Sequence, residues 1–322
     1  MSSLGNAAGS TNGEKPDIDV IVATRDRPTL LRQAIRAVLD QDYSAPIRVL
    51  VVYDQSEPEL GLAGEPDLGT DGAQRRIEVL TNERTQGLAG ARNTGIGAAT
   101  AELVAFCDDD DQWLPGKLQR QVDALSHDPE AQFVCCGIEV AYDDAIHPRV
   151  LTRHQITMRD LLRDRLTELH PSTFLMRRKA VVDGFGLVEE TIPGSFAEDY
   201  EFLLRAARQH AIANVPQVGV RVLWSKGSYF TAHWETMGSA LEWLLERYPE
   251  FRDVPAGEAR VSGQIAFAAA AEGRRRDAWR WAGRTIRRNP TEARAYLAIG
   301  VATHLVKADT VLQRLHNFGR GI

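Results

Sequence analysis

The chain has 322 residues, of which 43% are hydrophobic and 25% charged. That balance excludes wholesale disorder and allows one large domain or two ordinary ones. A net charge of −6 provides no global basic field, so nucleic acid is excluded as the expected partner. No stretch reaches the roughly 18 apolar residues of a membrane span. The three cysteines, Cys107, Cys135 and Cys136, form no Cys-x-x-Cys pair and read as reduced thiols in a cytoplasmic protein.

Residues 1–17 are rich in Gly, Ser, Asn and Ala, lack an apolar core, and read as a disordered tail rather than a signal peptide. Apolar runs at 18–23, 48–53, 77–80 and 103–107 read as buried strands. Between them, Leu30, Leu31, Ala34, Ile35, Val38 and Leu39 fall on one helical face, with Pro28 suited to the first turn. A second, Ala-rich helix is expected over 88–99. Strand and helix in alternation predict a mostly parallel α/β sheet with helices on both faces. Ligands of such sheets bind beyond the carboxyl ends of the strands, which directs attention to 24–27, 54–56, 81–86 and 108–111. Further strands are expected at 133–142 and 172–177, and a helix at 197–209. From about 231 onward the pattern becomes helical and rich in Ala and Arg. Short helices at 266–272, 279–288 and 293–306 are separated by Gly273 and Asn289-Pro290. The domains expected are an α/β unit over 18–230 and a helical appendage over 231–322. Trp279 and Trp281 read as helix-packing residues.

The sharpest chemical feature is Asp108-Asp109-Asp110-Asp111, directly after a buried strand and before Gln112-Trp113. Four adjacent carboxylates repel one another, and a hard divalent cation is the usual compensation. The sixth and twelfth positions counted from Asp108 are Trp113 and Gln119, which do not suit a calcium-binding EF-hand loop. A second feature is Ser195-Phe196-Ala197-Glu198-Asp199-Tyr200. Ser195 and Glu198 have the spacing of a capping box, and Asp199, free of that duty, reads as a general base. A third runs from Asn82-Glu83-Arg84 through Gly87-Leu88-Ala89-Gly90-Ala91-Arg92-Asn93, where glycines permit close backbone approach and Arg84 and Arg92 can neutralise phosphate. His170, ahead of Pro171-Ser172 and a strand, could line a pocket, and Lys226 and Ser228, after a strand, could close over phosphates.

Five segments in order make the first part of the chain, to about residue 230, resemble a family 2 glycosyltransferase of the GT-A fold. They are Val22-Ala23-Thr24-Arg25-Asp26-Arg27, Val51-Val52-Tyr53-Asp54-Gln55-Ser56, Gly90-Ala91-Arg92-Asn93, Asp108-x-Asp110-Asp111-x-Trp113 and Glu198-Asp199-Tyr200. The resemblance implies transfer of a sugar, with inversion, from a UDP-, GDP- or dTDP-sugar to a glycan, lipid-linked or small-molecule acceptor. It implies that Thr24 and Arg25 lie at the nucleoside, that Asp54 holds base or ribose, and that Asp108 and Asp110 hold Mn²⁺ or Mg²⁺ and the donor diphosphate, with Asp109 on the donor side. Asp199 would deprotonate the acceptor hydroxyl, with Glu198 beside it. Arg25, Asp26, Tyr53 and Gln55 depart from the family pattern, where an aromatic, Asn, Asp and Gly are common. The Gln-x-x-Arg-Trp motif of processive synthases is missing, so a non-processive enzyme is expected, with peripheral attachment at the inner face of a membrane left open. The competing reading is a degenerate GT-A module that binds partners through its C-terminal helices.

Overall fold

The computed structural model describes residues 15–71, 73–142, 145–223 and 233–317. In chain order the elements are β1 (Ile18–Thr24), α1 (Pro28–Leu39), β2 (Ile47–Tyr53), β3 (Arg75–Thr81), α2 (Leu88–Ala98), β4 (Leu103–Phe106), β5 (Gln112–Trp113), α3 (Lys117–His127), β6 (Phe133–Tyr142) and β7 (Ala145–Arg149). They continue with β8 (Gln155–Ile156), α4 (Met158–Arg163), β9 (Leu175–Arg177), α5 (Glu198–Gln209) and β10 (Ile212–Leu223). Then follow α6 (Trp234–Arg247), α7 (Pro255–Ala271), α8 (Arg275–Arg288), α9 (Ala293–Ala302) and α10 (Ala308–Asn317).

One sheet runs in the order β3-β2-β1-β4-β9-β6-β10-β5, with β7 added to β6 and β8 to β10. The first four of these strands are mutually parallel. β9 runs antiparallel to both β4 and β6, whereas β10 and β6 are again parallel. Side-chain alternation divides the core. Ile21, Leu50, Val52, Val104 and Phe106 join one apolar cluster, and Val20, Val22, Val49, Val51 and Ala105 join the other. Continuous Val/Ile runs are what a sheet covered on both faces requires.

Helix α1 starts with Pro28 and buries Leu31, Ala34, Ile35, Val38 and Leu39, the face read from the sequence. Helix α2 lies so close to the sheet that a Cβ on Gly95 would stand 2.5 Å from Ile21 Cγ2. Three expectations are corrected. The strand expected at 172–177 is only Leu175–Arg177, because Pro171–Thr173 forms a 3₁₀ turn. The tail expected over 1–17 is tied down at its end, where the Pro16 carbonyl accepts from the Tyr43 hydroxyl at 2.7 Å and the Asp17 carbonyl from the Leu103 amide at 3.3 Å. Residues 1–14 lie outside the described residues. Trp281 is buried as expected, but Trp279 is 50% exposed.

The C-terminal helices share a core with the sheet rather than forming their own. Val261, Ile265 and Phe267 of α7 belong to the same cluster as Leu161 and Leu162 of α4 and Phe202 and Leu203 of α5. Gly257 of α7 abuts α4 so tightly that a Cβ there would meet the Leu162 carbonyl oxygen at 1.9 Å. Helix α7 begins at Pro255, well before the expected 266, because its first turns are spent on this contact. Among the described residues, no helix is long and apolar enough to cross a membrane.

Candidate active site

β1 and β4 pair with Ile21 beside Phe106, and the same register carried three residues further sets Thr24 beside Asp109. The Thr24 hydroxyl donates to Asp109 Oδ2 at 2.7 Å. Arg27, in the loop after β1, donates to Asp109 at 3.1 Å and to Asp110 at 2.6 Å. Asp109 is 5% exposed, so its carboxylate locks two loops together rather than facing a donor. Asp108 and Asp110 are the more open pair, with side chains 24% and 33% exposed.

Burial and the charges of Asp111 and Asp108 push the Asp110 carboxyl up to about 6, despite Arg27. This excess of negative charge fits a divalent cation. Three side chains converge within 4.8 Å of one another as possible ligands, Asp108, Asp111 and His170. Asp110 is outside that group and faces Arg27. Asp111, however, is 1% exposed and already accepts from the Ser172 hydroxyl at 2.5 Å. His170 Nδ1 stands 3.2 Å from Asp111 and Nε2 4.0 Å from Asp108. Burial alone would lower the imidazole, but the two carboxylates overcome it and raise it to about 9. His170 thus stands against Asp111 as a counter-cation, and Asp108 and Asp110 are the more exposed carboxylates of the turn. The Asp108 amide donates to Ser172 Oγ at 2.9 Å, and the Trp113 indole to the Ser172 carbonyl at 2.9 Å. Ser172 thus fixes the acidic turn from below.

Across the site, Arg92 lies buried with one guanidinium nitrogen on Asp108 at 2.8 Å and the other on Glu198 at 3.0 Å. It bridges the acidic turn to the start of α5, and with both ends occupied it does not present its charge to a phosphate as expected. Glu198 corrects the capping-box reading. Pro193–Ser195 is a separate 3₁₀ turn, and Gly194, Ser195 and Ala197 all take positive φ. Ala197 becomes the residue before the helix, and Glu198 its first residue. Freed from capping, Glu198 turns inward to Arg92. Burial and the charge of Asp199 raise its carboxyl to about 7. Left-handed backbone at Ser195 and Ala197 costs on the order of 1 kcal/mol each.

Asp199 accepts from a single Arg165 nitrogen on both oxygens, at 2.9 and 2.7 Å. Burial would raise this carboxyl, but Arg165 outweighs it and holds the group below its usual range. The next residue, Tyr200, donates its hydroxyl to the Leu161 carbonyl at 2.5 Å and accepts from Arg260 of α7 at 2.9 Å.

Asp54, after β2, accepts from the Asn82 amide at 2.7 Å and from the Gly87 backbone at 3.0 Å. Glu190 joins the loop before α5 to the same region, bonding Arg84 at 2.6 Å, the Thr85 amide at 3.3 Å and Asn93 at 2.6 Å. Those bonds overcome burial and lower Glu190 to about 2. Arg84 is thereby paired rather than free. Arg25 points to solvent, 3.9 Å from Asp26 with its side chain 59% exposed, and is not drawn into the cluster. Lys226 and Ser228 lie outside the described residues. The sequence reading assigned no role to Arg27, Arg165, Ser172 or Glu190. Arg27 and Ser172 lay within quoted segments, after the first strand and beside His170, whereas Arg165 carried no signal.

A strand-end cluster of six carboxylates, interleaved with Arg27, Arg92, Arg165 and His170, sits where nucleotide-binding α/β sheets hold their ligands. The family model "Glycosyl transferase family 2" matches residues 19–185, and the chain belongs to that family.

Among curated relatives, it is 28% identical over 147 residues to the UDP-Glc:alpha-D-GlcNAc-diphosphoundecaprenol beta-1,3-glucosyltransferase WfgD of Escherichia coli. That match covers 46% of this chain and 55% of the relative, so the two share about half their lengths. Residues 1–349 of TarS from S. aureus, solved with UDP-GlcNAc, align at a TM-score of 0.59 and 14% identity, covering 94% of this chain and 92% of that one. The mannosyltransferase PcManGT from Pyrobaculum calidifontis, solved with GDP-Man and Mn²⁺, aligns at a TM-score of 0.55 and 20% identity, covering 92% and 83%. Both likenesses establish the GT-A fold.

Proposed function

We propose that the chain transfers a sugar, with inversion and one residue at a time, from a nucleoside-diphosphate sugar to an acceptor hydroxyl with the help of a divalent cation. The observation that carries this reading is the pair of part-exposed carboxylates Asp108 and Asp110 at the end of β4, with Arg92 joining Asp108 to Glu198, the residue next to Asp199. Mn²⁺ or Mg²⁺ held by Asp108 and Asp110 would supply charge stabilisation for the departing diphosphate. Thr24 and Asp54, at the ends of β1 and β2, would be nearest the nucleoside, although both are buried and already hydrogen-bonded. Asp199 is the base in this reading: Arg165 keeps its carboxylate ionised and oriented, although the same pairing weakens it as a base. No Ser or Cys nucleophile is needed, because inversion forms no bond to the enzyme.

A UDP-sugar is the first donor to try, supported by the donors in the names of WfgD and of the TarS complex. The WfgD name also supports a diphosphate-linked lipid as acceptor. The test is release of nucleoside diphosphate from UDP-, GDP- and dTDP-sugars with Mn²⁺, with and without chelator. Metal-dependent release is expected for one donor class. No binding and no release from any of them would leave a degenerate binding module in place of the enzyme.

A further inference from the structure

The outer face of α8 has no role in the site. The helix carries six arginines and one aspartate in a chain whose net charge is −6. Its inner face buries Ala278, Trp281, Ala282 and Thr285. Arg284 and Arg288 turn back to pair with Glu258 of α7, and Arg280 pairs with Asp277 at 3.2 Å. Arg275, Arg276 and Arg287 are exposed and make no ion pair among the described residues.

Trp279 is exposed among them. At about 100° per residue, Arg275, Trp279, Arg276 and Arg287 fall within an arc of about 120°, spread over about 18 Å of helix. Gly283 leaves the middle of that arc open, and the Arg287 guanidinium stands 3.9 Å from where its Cβ would be. An isolated exposed tryptophan is ordinary, and so is an isolated exposed arginine. One indole flanked by three uncompensated guanidinium groups on a single face is a pattern that suits an interface of negative headgroups over hydrocarbon. The indole is amphipathic, and unpaired arginines gain from an anionic surface.

We propose that this face of α8 docks on the surface of an anionic lipid bilayer. The apolar side of the helix is committed to the core, so the contact is peripheral, with headgroup pairing and one indole at the interface rather than insertion. Each arginine multiplies affinity for an anionic surface by about fivefold, and the three together by on the order of a hundredfold. The choice of a bilayer over an acidic protein rests in part on the proposed lipid-linked acceptor, which such docking would bring within reach of the enzyme.

The experiment is co-sedimentation of the full chain with phosphatidylcholine vesicles and with vesicles containing about one third phosphatidylglycerol, at low and high salt. Binding is expected only to the anionic vesicles, and it should weaken with salt. Arg276→Glu with Arg287→Glu should cut affinity at least tenfold, and Trp279→Ser several-fold. Metal-dependent donor hydrolysis, read in the same samples without vesicles, should be unchanged by these substitutions. Equal binding by wild type and the Arg variant, or no binding by wild type, overturns the docking face. Wild-type binding to polyglutamate but not to vesicles overturns it in favour of an acidic protein partner. Vesicle binding without any donor hydrolysis would leave the docking face standing and remove the proposed function instead.

Discussion

Glu198→Gln tests whether the site stores unfavourable charge. Glu198 is 6% exposed, and burial together with Asp199 raises its carboxyl from 4.5 to about 7 even with Arg92 beside it. Between these values the folded chain keeps a proton that the unfolded chain has released. Stability therefore falls as pH rises through that window, and the loss is complete above about pH 7. The rise corresponds to at most about 3 kcal/mol. Glutamine has the shape of the protonated acid and can still accept from Arg92, so it avoids the penalty. The variant should match wild type near pH 4 and exceed it at pH 8 by up to about 3 kcal/mol, on the order of 5 °C in melting midpoint. Thermal melts from pH 4 to 8.5 measure the difference. A constant offset across that range, or a variant less stable than wild type at pH 8, would show that the Arg92 pair outweighs burial and refute the reasoning.

Asp199→Asn should lower kcat by about 10²–10⁴-fold with little change in nucleotide affinity, and by more than Glu198→Gln does; steady-state turnover beside calorimetric nucleotide binding compares them. Asp110→Ala should abolish Mn²⁺-dependent nucleotide binding while the melting midpoint holds or rises, since one of four mutually repelling carboxylates is removed; calorimetry with and without Mn²⁺ reads it. Gly257→Ala should cost about 1–3 kcal/mol or more by urea titration, because its Cβ would strike the Leu162 carbonyl oxygen at 1.9 Å and backbone cannot yield as a side chain can.

The first half of the fold was legible because its strands are buried on both faces. The runs at 18–23 and 48–53 leave no room for a solvent face, and a parallel sheet with helices above and below follows from them. The acidic turn was legible for the same reason, since four carboxylates end a strand that is wholly buried. What the sequence hid is pairing. Asp108 to Asp111 look alike in a row, yet one meets Arg92, one Thr24 and Arg27, one Arg27 alone, and one Ser172 and His170. Those partners come from separate elements, and local spacing carries no record of them. The capping box failed on a local matter. Ser195 and Glu198 have the right interval, but positive φ at Ser195 and Ala197 breaks the turn the interval presumes, and no propensity forecasts left-handed alanine.

The change of composition near residue 231 invited a division between a catalytic unit and an appendage, and the packing argues against treating chemistry as confined to one side. Asp199 is held by Arg165, whose guanidinium lies 5.3 Å from the centre of the Tyr200 ring. Tyr200 is fixed at its hydroxyl by Leu161 of α4 and Arg260 of α7. Helix α7 is in turn pressed on α4 at Gly257 and clamped to α8 through Glu258, which takes Arg284 and Arg288 together. The ionised state of Asp199 thus depends on an arginine packed against a ring whose position the C-terminal helices set. A carboxylate positioned this way needs its backing to be rigid, because buried pairs lose their worth when geometry loosens. The Ala-rich composition of α7 serves that need. Small side chains let it lie close behind α4 and α5, and its burial from Val261 to Ala270, broken only at half-buried Gln264, is the pattern of a helix enclosed on nearly all sides rather than of a free-standing arm.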